Sequence, residues 1–128
     1  MDSKSRRPLN QIPRGEPRLL EGARLFNAGA FFESHEAWES LWHEVEGQER
    51  LLLQGLIQLA AAYHHLTHRN AAGARYLYTK GRARLVPWLP AHAGLELREW
   101  LTQVDSDFQR AGQGQPIVQA PSLKVTSE

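Results

Sequence analysis

The chain has no cysteine in 128 residues and a single methionine. The first absence excludes disulfides, thiolate zinc sites and a cysteine nucleophile, and it fits a reducing compartment. There is also no apolar run of the roughly 20 residues that a membrane-spanning helix needs. The longest stretch of that kind, Leu51–Leu66, is interrupted by Gln54, Gln58, His64 and His65 and reads as a core helix. The opening MDSKSRRPLNQIPRGEP lacks the apolar segment of a signal peptide. Together these absences place the protein in the cytoplasm with no membrane partner. Excess charge is missing too. A net charge of +1 and a pI of about 8.2 argue against a nucleic-acid partner, whose domains run above roughly pI 9.

What is present is histidine. The chain has six, and His35, His43, His64, His65 and His68 fall within one stretch of helical pattern. The length suits one domain with a real hydrophobic core. Residues 1–15, with two prolines and a glycine, read as a flexible arm, and residues 111–128 as an extended or flexible tail. Between them, residues 16–110 form the helical domain.

Apolar periodicity predicts five helices, at about 16–28, 30–45, 48–68, 71–86 and 94–110. Gly29 and Gly47 are stop signals. Asn70 suits an N-cap, and Pro87 and Pro90 end the fourth helix. The third helix is apolar nearly all round, as a central helix is. No segment shows β alternation. Short links at Gly47 and Asn70 favour antiparallel neighbours. The fold class is therefore all-α, a single compact bundle of antiparallel helical hairpins.

The stretch FFESHEAWESLW, residues 31–42, carries the chemistry. His35, Glu39 and Trp42 recur at i, i+4 and i+7, on one helical face, with Trp38 flanking. That face is expected to point to the core, where a carboxylate needs a partner. On the third helix Gln54, Gln58, Ala61 and His65 form a matching stripe. Folding back at Gly47 sets Gln54 or Gly55 opposite Glu39 and Gln58 or Leu59 opposite His35. Gly55 is expected to admit helix two closely, making room for Trp38 or Trp42. Arg50 is expected to pair with Glu46 or with helix two.

These residues resemble the domain-of-unknown-function family 309, small all-helical bacterial and archaeal proteins with an H-x-x-x-E-x-x-W/Y signature. His35, Glu39 and Trp42 carry the signature; Glu33, Glu36 and Trp38 match its flanks. Gln54, Gly55, Gln58, His65, Asn70, Gly73 and Ala74 match the downstream QGLIQ…H…N-x-x-GA. The resemblance covers residues 19–88. It implies an all-helical fold and a metal-binding His/Glu motif, with no assigned activity.

Several readings of the constellation follow. Imidazole and carboxylate at i, i+4 suit zinc, manganese or iron. A mononuclear site would be His35, Glu39 and His65, completed by Gln58 or water. HEAWE also resembles H-E-x-x-H, where Glu36 would be the base of a metal-dependent hydrolase. The spacing does not match the Glu-x-x-His pairs of di-iron bundles. Without metal, Glu39 could act as an acid–base catalyst after burial raises its pKa. The non-catalytic alternative is a structural or protein-interaction module in which Glu39 accepts from Gln54 or a tryptophan N–H and His35 bonds Gln58. A second alternative is a weak nucleic-acid contact through RNAAGARYLYTKGRAR, residues 69–84, where basic side chains alternate with tyrosines. Trp88, Trp100 and the tail are candidate contacts of a homodimer.

Overall fold

In the computed structural model, residues 9–117 and 119–126 are described. The described residues form five α-helices: α1 (Pro17–Asn27), α2 (Phe31–Trp42), α3 (Glu49–Thr67), α4 (Ala71–Leu85) and α5 (Leu97–Gly112). Consecutive helices pack as hairpins, α1 on α2, α2 on α3 and α3 on α4, so α3 is flanked on both sides. The all-α expectation holds. No helix among the described residues is long and apolar enough to cross a membrane.

The boundaries follow local chemistry. Pro17 opens α1, and the Glu16 carboxylate accepts from the Arg18 backbone N–H at 3.0 Å. Asn70 caps α4 as expected, its Oδ1 accepting from the Gly73 N–H at 3.0 Å. Helix α2 stops at Trp42, three residues short of the expected Val45. Val45 is held instead in a bridge to Leu9, whose N–H donates to the Glu44 carbonyl at 2.7 Å and whose carbonyl accepts from Glu46 at 2.7 Å.

The expectation of no β-structure is corrected. Three two-residue strands, β1 (Ala91–His92), β2 (Leu95–Glu96) and β3 (Lys124–Val125), form an antiparallel sheet in that order. Two residues are too few to show alternation. The β1–β2 link, Ala93-Gly94, has positive φ at both positions, 52° and 84°, as a tight primed hairpin turn requires. That hairpin occupies residues given to the fifth helix, which therefore starts at Leu97.

Both ends of the described chain are tied to the body. Leu123 is buried, its carbonyl accepts from Asn27 Nδ2 at 3.0 Å and its N–H donates to Asn27 Oδ1 at 2.7 Å. Ile12 is also buried, and its N–H donates to the Glu49 carboxylate at 2.5 Å.

The core is aromatic at its centre. Phe26 meets Tyr63 and Trp100 edge-on at centroid distances of 5.1 and 5.2 Å. Two glycine contacts set the helix spacing. A Cβ at Gly22 would lie 2.1 Å from Trp38 Nε1, so α1 leaves the room that the Trp38 indole fills. Gly55 does not serve helix two as expected. It meets α4, where a Cβ would lie 3.0 Å from the Gly81 carbonyl oxygen and 2.9 Å from Leu85. Gly81 faces Gly55 in return, so α3 and α4 cross backbone to backbone.

Candidate functional site

The buried face of α2 is Phe31, Ser34, Trp38 and Leu41. This corrects the expectation that His35, Glu39 and Trp42 point inward: all of them are only half-buried. The two tryptophans are one helical turn apart but off the same line, and Trp38, not Trp42, marks the core. Two hydrogen bonds to α1 lock this rotation. Trp38 Nε1 donates to the Leu19 carbonyl at 3.0 Å, and Ser34 Oγ donates to the Gly22 carbonyl at 2.8 Å.

That rotation carries His35, Glu39 and Trp42 to the edge of α2 that borders α3. Ring contacts fix the register between the helices. Phe31 lies 5.1 Å from Tyr63 and Phe32 lies 5.6 Å from His64, centroid to centroid. At the other end the Arg50 guanidinium sits 3.7 Å over the Trp42 ring and its Nε donates to the Trp42 carbonyl at 3.3 Å. In this antiparallel register His35 stands near the height of Gln58, and Glu39 near Gln54. On α3, Gln54, Gln58, Ala61 and His65 are each half-buried.

The polar groups of α2 and α3 do not satisfy one another. Among the described residues, no hydrogen bond joins Glu39 to Gln54 or a tryptophan, or His35 to Gln58. Instead, His35 Nδ1, Trp42 Nε1 and Gln58 Oε1 are shielded from solvent with no hydrogen-bond partner, as are Arg84 Nε and Trp100 Nε1. Each such atom forfeits about 1–3 kcal/mol. His35 stacks on Phe32 at 6.0 Å, and Glu36 is exposed.

His65 meets the start of α4, where its Nδ1 lies 3.2 Å from Asn70 Nδ2. Among the described residues, no three His, Asp or Glu side chains are grouped so as to hold a metal ion. The donor set His35, Glu39 and His65 does not fit a three-ligand centre as it stands. The His64 and His68 rings lie 4.1 Å apart, tilted by 36°, at the end of α3. Burial and the neighbouring histidines His68, His65 and His35 hold His64 below the usual imidazole pKa.

The basic residues of α4 diverge. Arg82 pairs with Asp105 of α5 at 2.9 Å, and Arg75 donates to the Phe108 carbonyl at 3.3 Å. Lys80 lies 5.2 Å from the Tyr76 ring centroid. Two tyrosine–aspartate bonds that sequence reasoning did not find complete the seam with α5. Tyr63 donates to Asp107 and Tyr78 to Asp105, each at 2.6 Å. Burial and the Asp105 bond push Tyr78 up to about 12. Burial raises Asp107 above the usual carboxylate value, against the Tyr63 bond that lowers it. Their partners lie on another helix, and no local spacing announces them.

Comparison with known proteins adds one match. The family model described as Domain of unknown function (DUF309) covers residues 19–77. It includes His35, Glu39, Trp42, Gln54, Gln58 and His65, and ends within α4 before Arg84. No curated protein matches.

Proposed function

We propose that this chain, which belongs to the DUF309 family, is a non-catalytic binding module. Its recognition face is the α2–α3 edge, where His35, Glu39 and Trp42 border Gln54 and Gln58. The supporting observation is the set of unsatisfied atoms at that edge, His35 Nδ1, Trp42 Nε1 and Gln58 Oε1. A fold that leaves polar atoms buried and unpaired carries a cost that a bound partner can remove. Trp42 offers a donor and Gln58 an acceptor. The matching group presents one acceptor and one donor, as a primary amide or a peptide unit does.

A hydrolytic or metal-dependent reading has less support, because the ligand set is not assembled and Glu36 faces solvent. The test uses the indole N–H signals of the four tryptophans. N-acetyl-glutamine methylamide is titrated into tag-free protein, followed by heteronuclear NMR. A saturable shift of the Trp42 indole, absent at Trp38 and lost in Gln58→Met, is the expected result. Uniform or absent shifts overturn the reading. Manganese broadening centred on His35 would overturn it in favour of an ion.

A further inference from the structure

A second site lies on the other side of α3. A cavity of about 560 Å³ opens between the start of α3 and the end of α4, within the range of small-molecule pockets. Its apolar wall is Leu51, Ala83, Pro87 and Trp88, and its cations are Lys80 and Arg84. Among the described residues, no carboxylate lines it.

Arg84 is the unusual member. The other α4 arginines facing α5 are engaged, Arg82 with Asp105 and Arg75 with the Phe108 carbonyl. Arg84 has no acceptor among the described residues, and its Nε is shielded from water. The nearest acid of α3's first turn, Glu49, is already held by the Ile12 N–H and by His92, each at 2.5 Å. A guanidinium set against an apolar wall with no counter-ion is a receptor for a planar anion. Leu51 is 41% exposed beside it, an apolar surface that the described residues leave open.

We infer that this cavity binds an organic carboxylate with an aliphatic or aryl body. The carboxylate sits on Arg84 with Lys80 beside it, and the body lies along Leu51, Pro87 and Trp88. The site is separate from the α2–α3 face, and most of its chemistry falls beyond the family match.

Octanoate is the probe, titrated into the full chain and read by the Trp88 indole signal and tryptophan fluorescence. Saturation below about 1 mM is expected, the weak end of specific binding. 1-Octanol, the same chain without the charge, binds at least tenfold more weakly. Arg84→Met keeps the stem and removes the charge, and it weakens octanoate at least tenfold with an unchanged melting curve. Equal binding of octanol and octanoate overturns the inference without any variant. So does an unaltered affinity in Arg84→Met, or a shift centred on a tryptophan other than Trp88. Octyl phosphate binding tenfold tighter than octanoate, or inorganic phosphate moving the same signals, overturns the carboxylate assignment.

Discussion

Gln58 and Gln54 provide a matched pair for testing whether the α2–α3 edge is held in a costly state. Both are half-buried on one face of α3, one helical turn apart. Only Gln58 has a shielded oxygen without a partner. Methionine keeps the unbranched shape of glutamine and removes the polar atoms. An unsatisfied buried group costs about 1–3 kcal/mol. Because Gln58 is half-exposed, the lower end applies, and Gln58→Met is expected to stabilise the fold by about 1 kcal/mol. For a chain of this size that raises the melting temperature by about 4 °C. Gln54→Met should change stability by less than about 0.5 kcal/mol, like an ordinary surface substitution. Urea unfolding with a shared slope and calorimetry measure both variants. Equal effects in the two variants, or a loss of stability in Gln58→Met, would refute the reasoning. Either result would mean that the Gln58 oxygen has a partner in solution. The gain should come with lost binding, the usual exchange at a recognition site.

Other predictions concern the packing and the tyrosine seam. Gly22→Ala drives a methyl into the Trp38 indole and breaks its bond to Leu19; it should cost about 2–4 kcal/mol despite better helix propensity. Trp38→Phe in the same chain should recover part of that loss, a non-additivity visible in a double-mutant cycle. Tyr78 is held neutral in the fold, so its stabilising contribution is complete below pH 10 and lost as pH rises through about 12. Ultraviolet titration should place its ionisation there, and Asp105→Asn should move it down. Asp107 has a raised folded pKa, so its contribution is present below pH 3.8 and lost as pH rises through the raised value. Asp107→Asn should therefore gain on wild type as pH rises from 3.8, read by urea midpoints; a constant difference would refute the shift.

The helices were legible because strong apolar periodicity and explicit punctuation agree. Gly29 and Asn70 mark ends that the structure keeps within a residue or so, whereas α2 stops at Trp42, well ahead of Gly47. The buried face of α5 is Leu97, Trp100, Leu101, Val104 and Phe108, the apolar positions of that periodic pattern. The rotation of α2 was not. Two tryptophans and a phenylalanine span more arc than one core face, and only the space left at Gly22 selects Trp38. Gly55 was legible as a close approach but not as to which helix, because a missing side chain does not name its neighbour. Hairpin register alone led to the expectation that the His35–Trp42 edge faces Gln54 and Gln58. Whether those groups bond one another depends on ångström-level rotamer geometry, below the resolution of any spacing rule.

The bond pair between Asn27 and Leu123 joins residues 96 positions apart. During synthesis the α1–α2, α2–α3 and α3–α4 hairpins each have their partners as soon as they are made. Asn27 must wait until Leu123 has emerged. The first four helices can thus assemble on the ribosome, and closure of the last strand onto α1 becomes a separate, later event. Such distant pairings slow folding through their loop entropy. A chain stopped before Leu123 would keep its α2–α3 edge while leaving the Asn27 amide exposed, a chemical difference that hydrogen exchange at α1 would register.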